Sequence, residues 1–313
     1  MADLTVIIVT WNSGKFLRQC LQSLADARPR STLEIIIVDN GSTDGCVEEA
    51  RGIMRDVRVL SNEENKGFAT ANNQALRLAQ SRYVLLLNPD TVVPAGALDT
   101  LVGFMDQHPQ AWAVGPLLLN ADGSPQRTGV RFPTNWNVLC EALFLDRLFP
   151  RTRLFGSHRE LFEDQTARRE VDYVQGSCLM VRRDALQKAG EMDEQFFLYF
   201  EETDWCFRMK AAGGQVFICP AARVTHFGGG ELGHYDEFRL LAYHASMLRF
   251  YRKHYAAWRR IGLRIILLAR SSMRAALWAI VALVRPAVRG AARSSARGYL
   301  RSMKLIVADG ASG

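Results

Sequence analysis

YVLLLNPD, residues 83–90, joins a five-residue apolar run directly to an acidic turn. The run 83–87 reads as a strand covered on both faces, because it has none of the alternation that a half-exposed strand shows. Three further apolar, β-branched runs precede it, at 4–9, 33–38 and 57–60. Amphipathic helical patterns lie between them: Phe16, Leu17, Cys20, Leu21 and Leu24 after the first run, and Phe68, Ala71, Ala75, Leu76 and Ala79 before the fourth. A β-α-β-α order implies an α/β fold with a doubly wound, Rossmann-like parallel sheet.

Ligands of such a sheet sit beyond the carboxyl ends of its strands, so the residues that end each run are the ones to read for chemistry. They are VTWN (9–12), VDNGSTD (38–44) and the Asn88 to Asp90 turn, and ENKGFATANN (64–73) opens the second helical pattern. Thr10, Asn12, Asp39 and Asn40 are small or hydrogen-bonding groups suited to a base and a ribose. Asp-Asn-Gly-Ser is also ordinary turn chemistry, and Asn-Pro-Asp can simply open a helix. Asp90 offers the hard oxygen that Mg²⁺ or Mn²⁺ bridging two phosphates requires.

With 313 residues, 48% hydrophobic and 23% charged, the chain can bury a full core. Its net charge of +7 is unevenly placed: residues 252–313 carry 13 bases and one acid, whereas 1–251 carry 26 bases and 31 acids. The positive charge lies in an apolar tail with no nucleic-acid module, so nucleic acid is not an expected partner. Six scattered cysteines without CxxC spacing favour a reducing cytosol. The N-terminal MADLTVIIVTWN has an apolar run too short for a signal core and no basic leader, so nothing is expected to export the chain.

From 111 to about 227 the alternation breaks down. Short strands (at Val114, 171–181 and 216–219) mix with loops and one helix near 202–212, an acceptor-facing half of the same domain. FFLYFEETDWCFR (196–208) sets Glu201, Glu202 and Asp204 behind aromatic residues. Carboxylates against an apolar wall gain proton affinity, which suits a general base, although acids are also common at a helix N-terminus for electrostatic reasons. His226 closes RVTHF and precedes Gly228, Gly229 and Gly230, a permissive loop that could approach a diphosphate. A lone histidine is more often structural than a ligand.

In this order, VTWN, VDNGSTD, NKGFATANN, LLLNPDT, VQGSCLMVRR, GEMDEQFFLYFEETDWCFR and RVTHFGGG resemble family 2 glycosyltransferases of GT-A fold, and within them the rhamnosyltransferase-like enzymes of bacterial cell-surface polysaccharide synthesis. The resemblance covers residues 4–255. It implies that Thr10, Asn12 and Asp39, with Asn40 beside them, hold the nucleoside, and that Asn65, Gly67 and Phe68 shape its pocket. Asn88 to Asp90 matches the Asp-x-Asp metal motif with its first acid replaced, leaving Asp90 and His226 as the protein ligands of Mg²⁺ or Mn²⁺. It also implies that Glu202 is the base, with Glu201 and Asp204 as alternatives, and that Gly176 and Ser177 line the cleft between sugar and acceptor.

The expected organisation is a GT-A domain at 1–255, with a nucleotide-sugar half at 1–110 and an acceptor half at 111–255, followed by a basic helical tail at 256–313. The resemblance further implies a dTDP- or UDP-sugar donor, a glycan or lipid-linked acceptor, and a cytoplasmic enzyme peripheral to the inner membrane; a homodimer is left open. A sugar-1-phosphate nucleotidyltransferase is a rival enzyme, but VTWNSGKF is not the Gly-rich phosphate loop it would need. A non-catalytic nucleotide-sugar-binding protein on the membrane is a second rival. In the tail, apolar blocks at 261–269 and 275–284 are each too short to cross a bilayer. An arginine-rich helix with Trp278 fits the membrane interface, and packing on the catalytic domain is the alternative.

Overall fold

The computed structural model describes residues 2–54, 56–126, 128–156, 167–228 and 237–311. The four apolar runs are strands β1 (Leu4–Thr10), β2 (Leu33–Asp39), β3 (Arg58–Ser61) and β4 (Tyr83–Leu87), all parallel, in the order β3-β2-β1-β4. Both faces of β1, β2 and β4 are largely apolar because both are covered, whereas β3, at the edge of the sheet, is half-exposed. Ile7, Ile36 and Leu86 point to one face, under α3 (Phe68–Leu76), α7 (Arg183–Ala189) and α8 (Glu201–Ala211). Val6, Ile8, Ile37 and Leu85 point to the other, under α1 (Gly14–Ala27), α2 (Cys46–Ile53) and α4 (Ala97–Gln107). This is the doubly wound arrangement that the β-α-β-α order implies.

Beyond β4 the sheet becomes mixed. Strand β10 (Cys178–Arg182) runs antiparallel to β4 and to β6 (Ala111–Leu119), and β6 runs parallel to β11 (Gln215–His226). The far end of β11 pairs with the two-residue β5 (Thr91–Val92), and its near end with β8 (Arg169–Val171). A separate two-stranded ladder joins β7 (Gly129–Val130) to β9 (Tyr173–Val174). Strand β11 runs well beyond the 216–219 segment expected from sequence. Its pairing with β6 skips residues 220–222, where Pro220 cannot donate a ladder hydrogen bond, and resumes at Arg223.

By density of contacts the chain divides into one unit of Met1–Phe132, Arg159–Phe197 and Glu201–Gly230, and a second of Pro133–His158, Leu198–Phe200 and Glu231–Gly313. The second unit is helical: α5 (Asn135–Ala142), α6 (Leu145–Leu148), α9 (Glu237–His254), α10 (Ala257–Val284) and α11 (Arg289–Ala311). The side chain of Asn135 donates to the Arg259 carbonyl at 3.0 Å, and the Tyr255 hydroxyl donates to that of Pro133 at 2.9 Å. His244 is fully buried beside Ser302; burial first, and then the Arg270 charge, lower its pKa to about 3.

The two apolar blocks expected in the tail are one continuous helix. Arg270, which falls between them in sequence, is buried and pairs with Glu141 at 3.4 Å, and the Arg274 guanidinium lies 4.1 Å from the centre of the Phe144 ring. By length and composition alone, α10 is therefore long and apolar enough to cross a membrane. All six cysteines are buried and none forms a disulfide.

Candidate active site

The site is built where β1, β2 and β4 end. The backbone N–H of Asn40 donates to the Thr10 carbonyl at 2.9 Å, locking the ends of β1 and β2 together. Asn12 sits at φ +51°, a left-handed conformation that asparagine tolerates better than most residues. There its side-chain oxygen accepts from the Thr43 N–H (2.8 Å) and its own N–H donates to the Ser42 hydroxyl (2.9 Å). One oxygen of Asp39 accepts from the Ser42 N–H at 3.0 Å. The buried Asn40 amide donates to Asn65 Oδ1 and to the Gly67 carbonyl, and Asn65 Oδ1 also accepts from the Gly67 N–H. Asn40 and Asn65 thus brace the loop that enters α3.

Gly67 has φ +83°, and a Cβ there would lie 2.5 Å from the Phe197 carbonyl oxygen. Only glycine meets both conditions. The contact matters because that same carbonyl accepts from the Phe68 N–H at 2.9 Å, which ties the start of α3 to the segment leading into α8. The chain enters α8 through two successive left-handed residues, Tyr199 and Phe200, each at φ +68°. Such a conformation costs roughly 1–2 kcal/mol per residue, so the surrounding packing must hold it.

Glu201 and Glu202 form the first turn of α8, and the Oε2 atom of each is buried without a hydrogen-bond partner. Burial pushes the Glu202 carboxyl up to about 7; N–H groups of Glu202, Thr203 and Gly176 pull it partly back. Glu201 is raised well above its ordinary value, by burial and then by the neighbouring Glu202 charge. Gly176 separates Glu202 from Phe68: a Cβ on it would lie 3.5 Å from Phe68 Cε1 and 3.6 Å from Glu202 Cβ. Asp204 belongs elsewhere. Its side chain is fully buried and paired with Arg208 at 2.8 Å, and Arg208 also donates to the carbonyls of Ala189 and Glu191.

The ladder that sets Cys178 opposite Leu87 carries residues 176 and 177 past the end of β4, where the Ser177 carbonyl accepts from the Asn88 N–H at 2.9 Å. The Ser177 hydroxyl is buried and has no partner. Asn88 contributes its backbone here: its carbonyl accepts from the Thr91 hydroxyl at 2.7 Å, which tightens the turn around Asp90.

Strand β5 places Thr91 opposite His226, and the Asp90 carbonyl accepts from the Phe227 N–H at 2.9 Å. His226 Nε2 lies 3.3 Å from Asp90 Oδ1, yet that oxygen has no partner of hydrogen-bond geometry. Gln126 explains why. Its amide nitrogen donates to the His226 carbonyl at 2.6 Å, so its oxygen faces His226 Nδ1, 3.0 Å away, and accepts from it. In a neutral ring, Nε2 then presents a lone pair beside an unpartnered carboxylate oxygen. Two oriented electron-pair donors with no proton between them fit a divalent cation. A Cβ on Gly228 would collide with Asp90 Oδ2, so the glycine keeps this space open. Among the described residues no group of three acidic, histidine or cysteine side chains converges. Gly229 and Gly230 lie outside the described residues.

Thr10, Asn12, Asp39, Asn40, Asn65, Gly67, Phe68, Gly176, Ser177, Glu202, Asn88, Asp90 and His226 are therefore linked through an unbroken series of neighbours, with Glu201 beside Glu202. The sequence reading missed Gln126, which stands 100 residues from its histidine in a loop with no motif of its own.

The profile described as "Glycosyl transferase family 2" matches residues 5–190. An N-acetylglucosaminyl-diphospho-decaprenol L-rhamnosyltransferase of Mycobacterium tuberculosis is 30% identical over 97% of this chain and 97% of its own length. A mannosyltransferase of Pyrobaculum calidifontis, solved with GDP-Man and Mn²⁺, superposes with a TM-score of 0.55 at 17% identity over 97% of this chain and 86% of its own. GalNAc-T7, solved with UDP, GalNAc and Mn²⁺, superposes with a TM-score of 0.58 at 18% identity, over 80% of this chain and 48% of its own. At such identities the two structures bear on the fold, which is GT-A with added C-terminal helices.

Proposed function

The chain belongs to glycosyl transferase family 2, and from that premise we propose that it is an inverting transferase moving rhamnose from dTDP-rhamnose to a lipid-linked glycan. The observation that carries the chemistry is the Glu202 carboxyl, raised by burial to about 7 and joined through Gly176, Ser177 and Asn88 to the turn that holds the Asp90–His226 pair. A carboxylate poised there removes a proton from an acceptor hydroxyl at neutral pH without being permanently ionised. As that oxygen attacks the anomeric carbon, the bond from this carbon to the nucleoside diphosphate breaks on the opposite side, which inverts the centre.

Glu202 is the base of the pair in this reading, because it is the one set against Gly176 on the cleft side, while Glu201 is buried behind it. Asp204, held by Arg208, serves to fix α8. Asp39 takes the base of the nucleotide, Thr10 and Asn12 its ribose, and the Gly67–Phe68 turn closes over it. Ser177, whose hydroxyl is unpartnered, and Gly176 face the sugar. Asp90 and His226 would hold Mg²⁺ or Mn²⁺, whose charge would offset that building on the departing diphosphate.

The identity of the donor rests on the full-length similarity to a rhamnosyltransferase whose name specifies a decaprenyl-diphosphate acceptor. In this proposal residues 1–110 hold the donor, 111–255 the acceptor, and 256–313 keep the enzyme, as a monomer or homodimer, on the cytoplasmic face of the membrane. A thermal-shift panel of nucleotide sugars with Mn²⁺ tests it, since a ligand of the folded state raises the midpoint as its concentration exceeds Kd. dTDP-rhamnose should give the largest shift; a larger shift with a UDP- or GDP-sugar would replace the donor.

A further inference from the structure

Helix α10 is inside out. Among the residues it exposes, none carries a charge and Ser272 alone has a polar side chain. Trp258, Ile261, Ile265, Met273, Leu277 and Ile280 are each at least 42% exposed, and their spacing in threes, fours and a double turn keeps them on one face. At about 1.5 Å per residue this stripe, from Trp258 to Ile280, is about 33 Å long. The opposite face, which packs within the helical unit, holds the charge: Arg264 pairs with Asp309 at 2.8 Å, Arg270 with Glu141, and Arg274 stacks on Phe144. A soluble helix puts its arginines out and its isoleucines in, because burying a charge costs far more than exposing a methyl group.

Helix α11 runs antiparallel beside it: Arg264 meets Asp309, and Ser272 lies 3.6 Å from Met303. Helix α11 exposes a basic row, Arg289, Arg293, Arg297, Arg301 and Lys304, spaced by four, four, four and three residues, alongside the apolar Leu300 and Val307; Arg301 also pairs with Glu237. An uncharged stripe flanked by a cationic row complements a bilayer, whose acyl region takes the first and whose anionic headgroups take the second. A protein partner would have to present an apolar groove of matching length beside an acidic ridge, whereas a membrane offers both at every point of its surface.

We infer that the α10–α11 hairpin is a membrane-docking element lying in the plane of the bilayer, with the Trp258 to Val284 face of α10 inserted among the lipids and the α11 basic row at the headgroups. This deepens the membrane association proposed above and rests on it. It also assigns the contact differently from a helix held to lipid by its own arginines, since Arg264, Arg270 and Arg274 of α10 point inward. Docking in plane follows from the other face of α10 being occupied by α5, α9 and α11, with Arg270 and Ser271 buried there.

The test is flotation of the full chain with vesicles of phosphatidylcholine alone or mixed with phosphatidylglycerol. It uses the wild type, Ile265→Glu/Ile280→Glu, and Arg293→Gln/Arg297→Gln. Both pairs are exposed, so circular dichroism and Mn²⁺-dependent nucleotide binding should match the wild type and verify folding. The wild type should float with the mixed vesicles. The apolar-stripe variant should lose binding to both kinds by tenfold or more, on the order expected when two charges meet the acyl region. The arginine variant should lose mainly the preference for anionic vesicles, about fivefold per residue. A wild type that fails to float would overturn the membrane reading itself. A wild type and a stripe variant that float equally would leave that reading intact and sink the assignment to this face. Resistance to extraction by alkaline carbonate would show a spanning helix instead. A stripe variant that turns a dimer into a monomer without any change in flotation would assign the face to a second copy of the chain.

Discussion

Gln126 and His226 are joined at both ends of one amide: Nε2 of Gln126 donates to the histidine's carbonyl at 2.6 Å, and Oε1 stands 3.0 Å from its Nδ1. The pair fixes both the ring's orientation and its tautomer, and so decides what faces Asp90.

Gln126→Leu removes both bonds, together with the one its amide donates to Asn120 Oδ1 at 2.9 Å, without touching nucleotide or acid. Partners that orient a metal-binding histidine are worth about 10- to 100-fold in metal affinity, so Mn²⁺ titrated calorimetrically with dTDP present should bind weaker by that factor. Gln126→Glu keeps an acceptor for Nδ1–H and should lose less. Equal Mn²⁺ affinity in all three proteins would mean that the cation is held elsewhere.

Glu202→Gln should lower kcat by about 10²- to 10⁴-fold and leave donor binding near wild type. Because the free carboxylate is the active form and burial raises its pKa to about 7, the wild-type kcat/KM should climb with pH through neutrality. The variant's residual rate should lack that limb. A variant that turns over at the wild-type rate removes Glu202 from the mechanism.

The same raised pKa has a stability signature. The folded state keeps the Glu202 proton up to about pH 7, whereas the unfolded chain releases it near 4.5. Between those values the native state binds more protons, so stability falls as pH rises and the loss is complete above pH 7. Glu202→Gln cancels the loss, by up to about 3 kcal/mol. The variant should therefore melt above the wild type at pH 8, and the gap should close toward pH 4. Parallel melting curves across that range would show that Glu202 is not desolvated.

Asp204 should behave in the opposite way. Asp204→Ala strands Arg208, and breaking a buried pair from one side costs about 3–5 kcal/mol. Denaturant midpoints should fall sharply while the rate per folded molecule holds, which separates a brace from a base.

Gly67→Ala forces a Cβ to within 2.5 Å of the Phe197 carbonyl at φ +83°. Relief requires α3 to part from the segment entering α8, so donor KM should rise together with a stability loss of about 1–3 kcal/mol. A variant with wild-type KM and midpoint would show that the turn is not under that constraint.

Much of this was legible in the sequence because the physics was local. A run such as 83–87, apolar at every position, has few folds open to it, and the acid that follows must emerge where the strand ends. The first turn of α8 was equally readable, since three acids behind aromatics leave little choice of place. Which acid does what was not: Asp204 is set apart from Glu202 by Arg208, one helical turn away, and that pairing becomes visible only with the helix in place. Gln126 was invisible because its role depends on a residue 100 positions distant. The continuity of α10 was not legible, because an arginine in an apolar run reads as an interruption. Glu141 and Phe144, which accommodate Arg270 and Arg274, lie more than a hundred residues upstream.

Strand β11 carries a further consequence in the three residues it loops out between Cys219 and Arg223. A strand alternates its side chains with a period of two, so its length acts as a phase. Five residues before the excursion, and four after it up to His226, are counted separately. Deleting one residue at 220–222 would change the loop and leave His226 in step with Thr91. Deleting one between 223 and 226 would turn the imidazole to the far side of the sheet. The excursion thus works as a buffer in the numbering of the chain: drift in the length of the upstream strand is absorbed there, and only the last four residues must keep strict count with Asp90.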